Sequence, residues 1–306
     1  MSTVEILEVS PRDGLQNEAK LFSTQEKVEL IEQIIRAGVR RIEVTSFVNP
    51  LKVPQMADAS EVMAALPRPE GVKYSGLIMN ARGLERAILA KVHEVNIVVV
   101  ATDTFCGKNQ GMTTQESISM ARGLVSMARE AGLSTTVTIG ATFGCPFEGE
   151  VSMDRIKDVM ARAIDTGPDE LALADTIGVA IPRDITERVL FAREYAPSIM
   201  PLRLHLHDTR HTGVANAVAG IEAGATVLDA SIGGTGGCPF APKATGNVAT
   251  EDLLYLFNRM NVQTGINFGY ILEASAWLEG KLGKHLPGAL LRAGSFPPAH
   301  FAEGNS

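Results

Sequence analysis

The sequence predicts an α/β fold: a (β/α)8 TIM barrel of eight parallel strands, followed by a short C-terminal helical extension. Three observations predict it. Short β-branched runs recur eight times, segments of helical period separate them, and the repeats run to about residue 265 of a 306-residue chain. Strands alternating with helices at this spacing argue for βαβ units, and eight such units match a closed barrel in number and length.

The strand runs are VEILEV (4–9), RRIEVTSF (40–47), VKYSGLI (72–78), VNIVVVA (95–101), STTVTIGAT (134–142), ELALADT (170–176), LRLHLHDT (202–209) and TVLDASIGG (226–234). Of the segments between them, STQEKVELIEQIIRAG (23–38) opens with Ser23 or Thr24 as its N-cap and stops at Gly38. REAG (129–132) and IEAG (221–224) close two other helices in the same way. An open, doubly wound sheet is the competing architecture. It would want a glycine-rich fingerprint after the first strand, and VSPRDGLQNE is not one. Residues 1–265 are thus expected to form the barrel. Residues 266–306 form the extension, a helical stretch containing Trp277 and then a loose tail, SFPPAHFAEGNS.

Composition narrows the function. A hydrophobic share of 45% and a charged share of 21% are ordinary for a globular chain. A formal net charge of −7 argues against a nucleic-acid surface, though not against a local basic patch for an anionic ligand. MSTVEILEVS has no basic, apolar leader pattern, and no apolar run approaches membrane-spanning length. Cys106, Cys145 and Cys238 form neither a disulfide framework nor a zinc spacing. A cytoplasmic protein of a reducing compartment, with no membrane partner, is expected.

In such a barrel, function gathers at the C-terminal ends of the strands. His205 and His207 sit two residues apart on one strand, so both imidazoles project from one face, roughly 6.5–7 Å apart along it. They could reach one ion, with a carboxylate from Asp13 and an amide oxygen from Asn247. Such a nitrogen and oxygen set suits magnesium, manganese, iron, cobalt or zinc. The blander alternative makes one imidazole a loop cap and the other a satisfied core group; it is weaker for a pair than for a single histidine. Arg12, beside Asp13, is either a structural ion-pair partner or a polariser of a carbonyl or enolate oxygen. Glu43, inside a strand, needs a cationic partner if buried, and Arg12 or Arg41 could supply it. Cys238 follows GGTGG. A lone cysteine is usually a small buried hydrophobe, but beside a metal it could serve as a thiol acid or base.

The segments SPRDGLQNE, IEVTSFVNPLKVPQMAD, GCPFEG, DTIGV, HLHDT and GGTGGCPFAPKATGNVATEDL, in that order, resemble the motifs of the 3-hydroxy-3-methylglutaryl-CoA lyase family. The likeness runs over residues 4–270. It implies Asp13, His205, His207 and Asn247 as ligands of a magnesium or manganese ion. Arg12 would stabilise the enolate oxygen, Glu43 would orient Arg12, and Gln16 would line the pocket. Cys238 would relay a proton from a closing loop. Asp175 would stand at the cavity rim, and Lys108 and Asn109 would help hold the CoA moiety. The implied reaction is metal-dependent cleavage of 3-hydroxy-3-methylglutaryl-CoA, or a close 3-hydroxy acyl-CoA, to acetyl-CoA and a keto acid, acetoacetate for the parent. A metal-bound hydroxide, His205 or Asp13 would take the hydroxyl proton. The likeness also implies a homodimer and a place in leucine catabolism.

The chain departs from the family pattern at several positions. HDTRHTG, with Arg210 and His211, stands where members usually read HDTYGQA. Strand 5 carries Thr136 and Thr138 in place of an arginine and a tyrosine, and ALADT, with Ala172 and Ala174, replaces S-L-G-D-T. Each change alters the pocket wall while the metal and enolate groups stay whole. Arg210 could replace the lost cation and bind substrate; alternatively the enzyme cleaves a different branched 3-hydroxy acyl-CoA. A related aldolase or condensing synthase, and a non-catalytic metal-binding scaffold, are the rival functions.

Overall fold

A computed structural model describes residues 3–237 and 246–297. Eight parallel strands close into a barrel in sequence order: β1 (Glu5–Glu8), β2 (Arg41–Ser46), β3 (Lys73–Ile78), β4 (Glu94–Val100), β5 (Ser134–Gly140), β6 (Glu170–Asp175), β7 (Leu202–Leu206) and β8 (Val227–Ala230). β1 pairs with both β2 and β8, which seals the ring and leaves no strand edge. Every expected strand is present.

The helices form where the caps dictate. Ser23 and Glu26 make a reciprocal capping box at the start of the helix Thr24–Arg36, whose buried face is Val28, Leu30, Ile31 and Ile34. Thr113 and Glu116 do the same for the helix Thr114–Glu130. Such a box satisfies two otherwise orphaned N–H groups. Gly38, Gly132 and Gly224 take left-handed φ values of 96°, 76° and 111°, as expected of helix stops. Beyond the barrel, the helix Phe268–Leu282 packs on the first helix, and Trp277 donates its indole N–H to Glu29 across that seam at 2.9 Å.

The apolar core lies between the outer face of the sheet and the helices, where Ile31, Ile34, Ile42 and Val44 belong to one large cluster. Inside the barrel the packing is unusually polar. Arg41, from β2, reaches across to Glu94 at 2.7 Å and grips Glu170 with two nitrogens, at 2.7 and 3.0 Å. Arg203 stands within 3.5 Å of Glu170 and 3.4 Å of Asp229. Most barrel interiors hold layers of branched apolar residues. A buried ion-pair network is a poor source of net stability, but it strongly penalises loss of any one member.

Two buried carboxylates fix the loops that carry the site. Glu8 accepts from the backbone N–H of Ser10 and Ile232, both at 3.0 Å, and from the hydroxyl of Thr250. Glu251 accepts from the N–H of Gly233 at 3.0 Å. Together they tie the turn after β1 to the glycine-rich stretch after β8. Burial pushes the Glu251 carboxyl up to about 7, and the neighbouring charges of Asp252 and Glu8 add to that rise against its backbone hydrogen bonds. A folded pKa above the unfolded value means that this group's stabilisation is complete below about pH 4.5 and is lost as pH rises through about 7. Between pH 5 and 8, Glu251→Gln should gain on the wild type by on the order of 2–3 kcal/mol in urea unfolding. A difference that stays flat with pH would mean that the Glu251 carboxyl titrates normally.

Candidate active site and metal centre

The turn Ser10–Gly14 follows β1 as a single wide helical turn in which the N–H groups of Asp13 and Gly14 both point to the carbonyl of Val9. Pro11 stands in its first positions, where a missing N–H costs nothing, and the turn projects Arg12 and Asp13 over the barrel mouth. Arg12 donates Nε to Glu43 and Nη1 to Asp13. Of the two cations considered for Glu43, it is therefore Arg12 that pairs with it; Arg41 serves the opposite end of the barrel.

His205 lies on β7, and His207 lies just beyond the strand, bridged to Asn247. Their Nε2 atoms stand 3.2 Å apart. Asp13, His205 and His207 each offer a ligand atom, all within 4.8 Å of one another. Asn247 donates Nδ2 to Asp13 Oδ2 at 2.7 Å and to the Thr235 carbonyl at 3.0 Å. Both partners are acceptors, which fixes the amide orientation. The Oδ1 of Asn247 is then left buried, with no hydrogen-bond partner among the described residues.

A divalent cation fits this set. One carboxylate, two imidazoles and one orphaned amide oxygen converge. Within the connected network, buried except for a half-buried Asp13, three guanidinium groups (Arg12, Arg41, Arg203) face five carboxylates (Asp13, Glu43, Glu94, Glu170, Asp229). Two negative charges are in excess, the amount that a divalent ion between neutral imidazoles would offset. His205 also donates Nδ1 to Asp229 Oδ2 at 2.9 Å, the kind of outer carboxylate that sets the tautomer and leaves Nε2 for an ion.

The electrostatics agree with these roles. Burial pushes the Asp13 carboxyl up, but the charges of Arg12, His205 and His207 with the Asn247 hydrogen bond outweigh it and hold the group at about 2. Burial alone would lower the His205 imidazole, yet Asp229 and Asp13 raise it.

Beside this cluster opens a cavity of about 130 Å³, lined on one side by Arg12, Asp13, His205 and Asp229 and on the other by Leu77, Val98, Val100 and Phe105. It is smaller than the roughly 300 Å³ and upward that whole ligands of drug or cofactor size take. The reacting end of a substrate fits it; a nucleotide does not.

Other expected site residues fall elsewhere. Asn109 lines the cavity, whereas Lys108 lies over the Phe147 ring at 5.0 Å. Gln16 is partly buried past the turn, outside the cavity lining. The Asp175 carboxylate turns to the N–H groups of Val179 and Ala180, at 2.9 and 3.0 Å, so it shapes the loop after β6 instead of lining the cavity rim. Ala174 is paired with His205 in the sheet and faces the cavity in its place. Arg210 does not enter the cavity to replace a missing cation: its Nη1 donates to the carbonyls of Ile177 and Gly178 at 3.0 and 2.7 Å. His211 is exposed. Thr136 donates to Glu170 at 2.9 Å, and Thr138 lines the cavity with Ala174. Cys238 lies outside the described residues. Asp229, Asn96 and Arg203 were not singled out from sequence, although a charged residue within each apolar strand run was the available signal for Asp229 and Arg203.

Acid, imidazole and guanidinium groups gathered at the C-terminal mouth of a closed barrel are the equipment of an enzyme, and comparison with known proteins makes the class that of a carbon–carbon lyase of hydroxymethylglutaryl-CoA lyase type. The chain belongs to the HMGL-like family, whose model matches residues 3–278. It is 42% identical over 309 residues to the (R)-citramalyl-CoA lyase of Chloroflexus aurantiacus, spanning 97% of each chain. It is 40% identical to the hydroxymethylglutaryl-CoA lyase YngG of Bacillus subtilis, over 93% of this chain and 95% of that one. Among solved structures, the HMG-CoA lyase of Bacillus subtilis superimposes with a TM-score of 0.92 at 38% identity, covering 96% of this chain and 98% of that one. An Acinetobacter baumannii HMG-CoA lyase in complex with coenzyme A and 3-methylmalate gives 0.93 at 36% identity, covering 97% of each. Among the described residues no helix is long and apolar enough to cross a membrane.

Proposed function

We propose that the protein is a divalent-metal-dependent lyase that cleaves 3-hydroxy-3-methylglutaryl-CoA, or a close 3-hydroxy acyl-CoA, to acetyl-CoA and a keto acid. The observation that carries this reading is the convergence of Asp13, His205 and His207 beside an Arg12 held in place by Glu43. Asp13, His205, His207 and Asn247 would hold magnesium or manganese. When bound, the ion supplies Lewis-acid polarisation and a template for the hydroxyl and carboxylate oxygens.

The chain's own groups do the rest. With His205 Nδ1 donating to Asp229 and Nε2 reserved as an ion ligand, Asp13 is the group left to accept the proton of the 3-hydroxyl, because a carboxylate keeps lone pairs beyond the one given to an ion. Its carboxyl is held at about 2, so it takes that proton only from a hydroxyl made acidic by Lewis-acid polarisation. As the C3 carbonyl forms, the C2–C3 bond breaks and its electron pair moves into a thioester enolate. Arg12 meets the enolate oxygen. A proton returned to C2, a role assigned to Cys238, gives acetyl-CoA. The reading carries with it an acyl-CoA ligand, a cytoplasmic enzyme and a homodimeric assembly.

A second reading, cleavage of citramalyl-CoA to acetyl-CoA and pyruvate, is favoured by one feature of the wall. Among the described residues lining the cavity, Arg12 is the only cation. With Arg12 given to the enolate, the substrate carboxylate must find its counter-charge at the ion. A carboxylate on the carbinol carbon itself lies next to the hydroxyl, so both groups could share the positive charge that an ion held by Asp13, His205, His207 and Asn247 would supply. The relatives point the same way: one is named for citramalyl-CoA, and 3-methylmalate, found in another, is an isomer of citramalate.

Acetyl-CoA release should be measured from both thioesters, with added magnesium or manganese and with chelator, beside an Arg12→Met control. Metal-dependent release from the methylglutaryl thioester is the expected result. A kcat/KM at least tenfold higher for citramalyl-CoA would give the second reading precedence. Silence of a folded, metal-loaded protein toward both would remove the acyl-CoA lyase assignment.

A further inference from the structure

Beneath the cavity, four buried side chains from four strands form one continuous chain of hydrogen bonds. Arg203 on β7 donates Nη2 to Thr138 Oγ1 on β5 at 3.1 Å. Thr138 donates its hydroxyl to Asn96 Oδ1 on β4 at 2.7 Å. Asn96 donates Nδ2 to Glu43 Oε2 on β2 at 2.8 Å. Glu43 uses its other oxygen to accept Arg12 Nε. All are buried, with Arg203 at 0% and Glu43 at 1% exposure.

The chain has only one possible direction. A guanidinium has donors and no acceptor, so Thr138 must accept from Arg203. The threonine then has one proton to give, and giving it to Asn96 Oδ1 turns the amide so that Nδ2 faces Glu43. The carboxylate, an acceptor only, is thereby held by one oxygen and presents the other to Arg12. Neither Thr138 nor Asn96 has a second orientation that satisfies both neighbours.

The geometry points to Thr138, backed by Arg203 and acting through Asn96 and Glu43, as a positioning residue that fixes the direction in which Arg12 presents its guanidinium to the reacting thioester oxygen. This inference rests on the enolate-stabilising role proposed for Arg12. It also gives a use to the threonine on strand 5, which lines the cavity and contributes no charge there.

The decisive variants are Thr138→Val, which keeps the shape and removes the hydroxyl, and Thr138→Ser, which restores it. Three readouts separate the outcomes: turnover of the better thioester, hydrogen–deuterium exchange of the acetyl-CoA methyl group in D2O, and the exchange rate of the Arg12 Nε–H by 15N NMR. Thr138→Val should lower kcat and methyl exchange ten- to a hundredfold, leave KM and manganese affinity within twofold, and speed Nε–H exchange. Thr138→Ser should return all three to within a few-fold of wild type. In an Arg12→Met background, Thr138→Val should have no further effect on methyl exchange, because the residue acts through Arg12. Unchanged turnover and unchanged Nε–H exchange in Thr138→Val would overturn the proposal. So would an equal loss in the presence and absence of Arg12. A wild-type enzyme inactive in both chemical assays would count against the lyase reading instead, and the Nε–H signal would still decide whether Thr138 holds Arg12.

Discussion

Replacing Arg12 by methionine should lower kcat by roughly a thousandfold, the scale seen when one preorganised donor to a developing oxyanion is removed, while manganese binding is retained or tightened. Two features set the sign of the second effect. Arg12 engages Glu43 through Nε and Asp13 through Nη1, so Nη2 is the nitrogen left to meet a substrate oxygen. Removing the guanidinium also removes one positive charge from a buried network that already has more carboxylates than cations. The attraction for a divalent ion therefore grows even as the transition state loses its donor. Methionine fills most of the vacated volume, which limits collapse of the turn. A manganese titration followed by electron paramagnetic resonance, run beside steady-state kinetics, separates the two effects. Parallel loss of ion binding and turnover would show that Arg12 is a brace for Asp13 and not a partner of the substrate.

The strands were legible because each is a short β-branched run between capped helices, and these local signals agree with one another and with the closed topology. Asp13, His205 and His207 were legible as a group because they fall at or just past strand ends, which places them at one mouth, and Asn247 because it follows the glycine-rich loop after β8. What sequence could not show was pairing across the barrel. Glu43 and Arg41 are same-face neighbours on β2, and either Arg41 or Arg12 could have served the glutamate. The choice follows from depth: Arg41 lies one layer lower, level with Glu94 and Glu170. Asp229, Asn96 and Arg203 gain their meaning from residues on other strands, up to 65 positions away in the chain. Strand parity would have corrected Asp175. Once His205 faces inward, its sheet partner Ala174 does too, and the next residue must turn away.

Gly246→Ala should abolish tight metal binding and cost about 3 kcal/mol or more of stability. The residues from Gly246 to Ala249 thread between the end of β7 and the glycine-rich stretch after β8. The N–H of Asp208 bonds the Gly246 carbonyl at 3.1 Å, Asn247 bonds Thr235 at 3.3 Å, and Val248 bonds Leu206 at 3.0 Å. A Cβ on residue 246 would lie 1.9 Å from the carbonyl oxygen of Gly234 and 2.8 Å from the carbonyl carbon of Thr235. Both obstacles are backbone, so no rotamer change can relieve them; the thread itself must shift. Asn247 is the next residue, and a shift would pull its amide off Asp13 and Thr235, the two contacts that aim its orphaned oxygen. Gly123→Ala provides the contrast. That glycine sits inside the helix Thr114–Glu130, and a Cβ there meets nothing within 4 Å. It should stabilise by about 0.5–1 kcal/mol through helix propensity and leave metal binding untouched. Equal behaviour of the two variants in urea unfolding and manganese titration would mean that the loop has room to yield. The ion site would then owe its shape to Asp13 and the two histidines, with no need for a fixed Asn247.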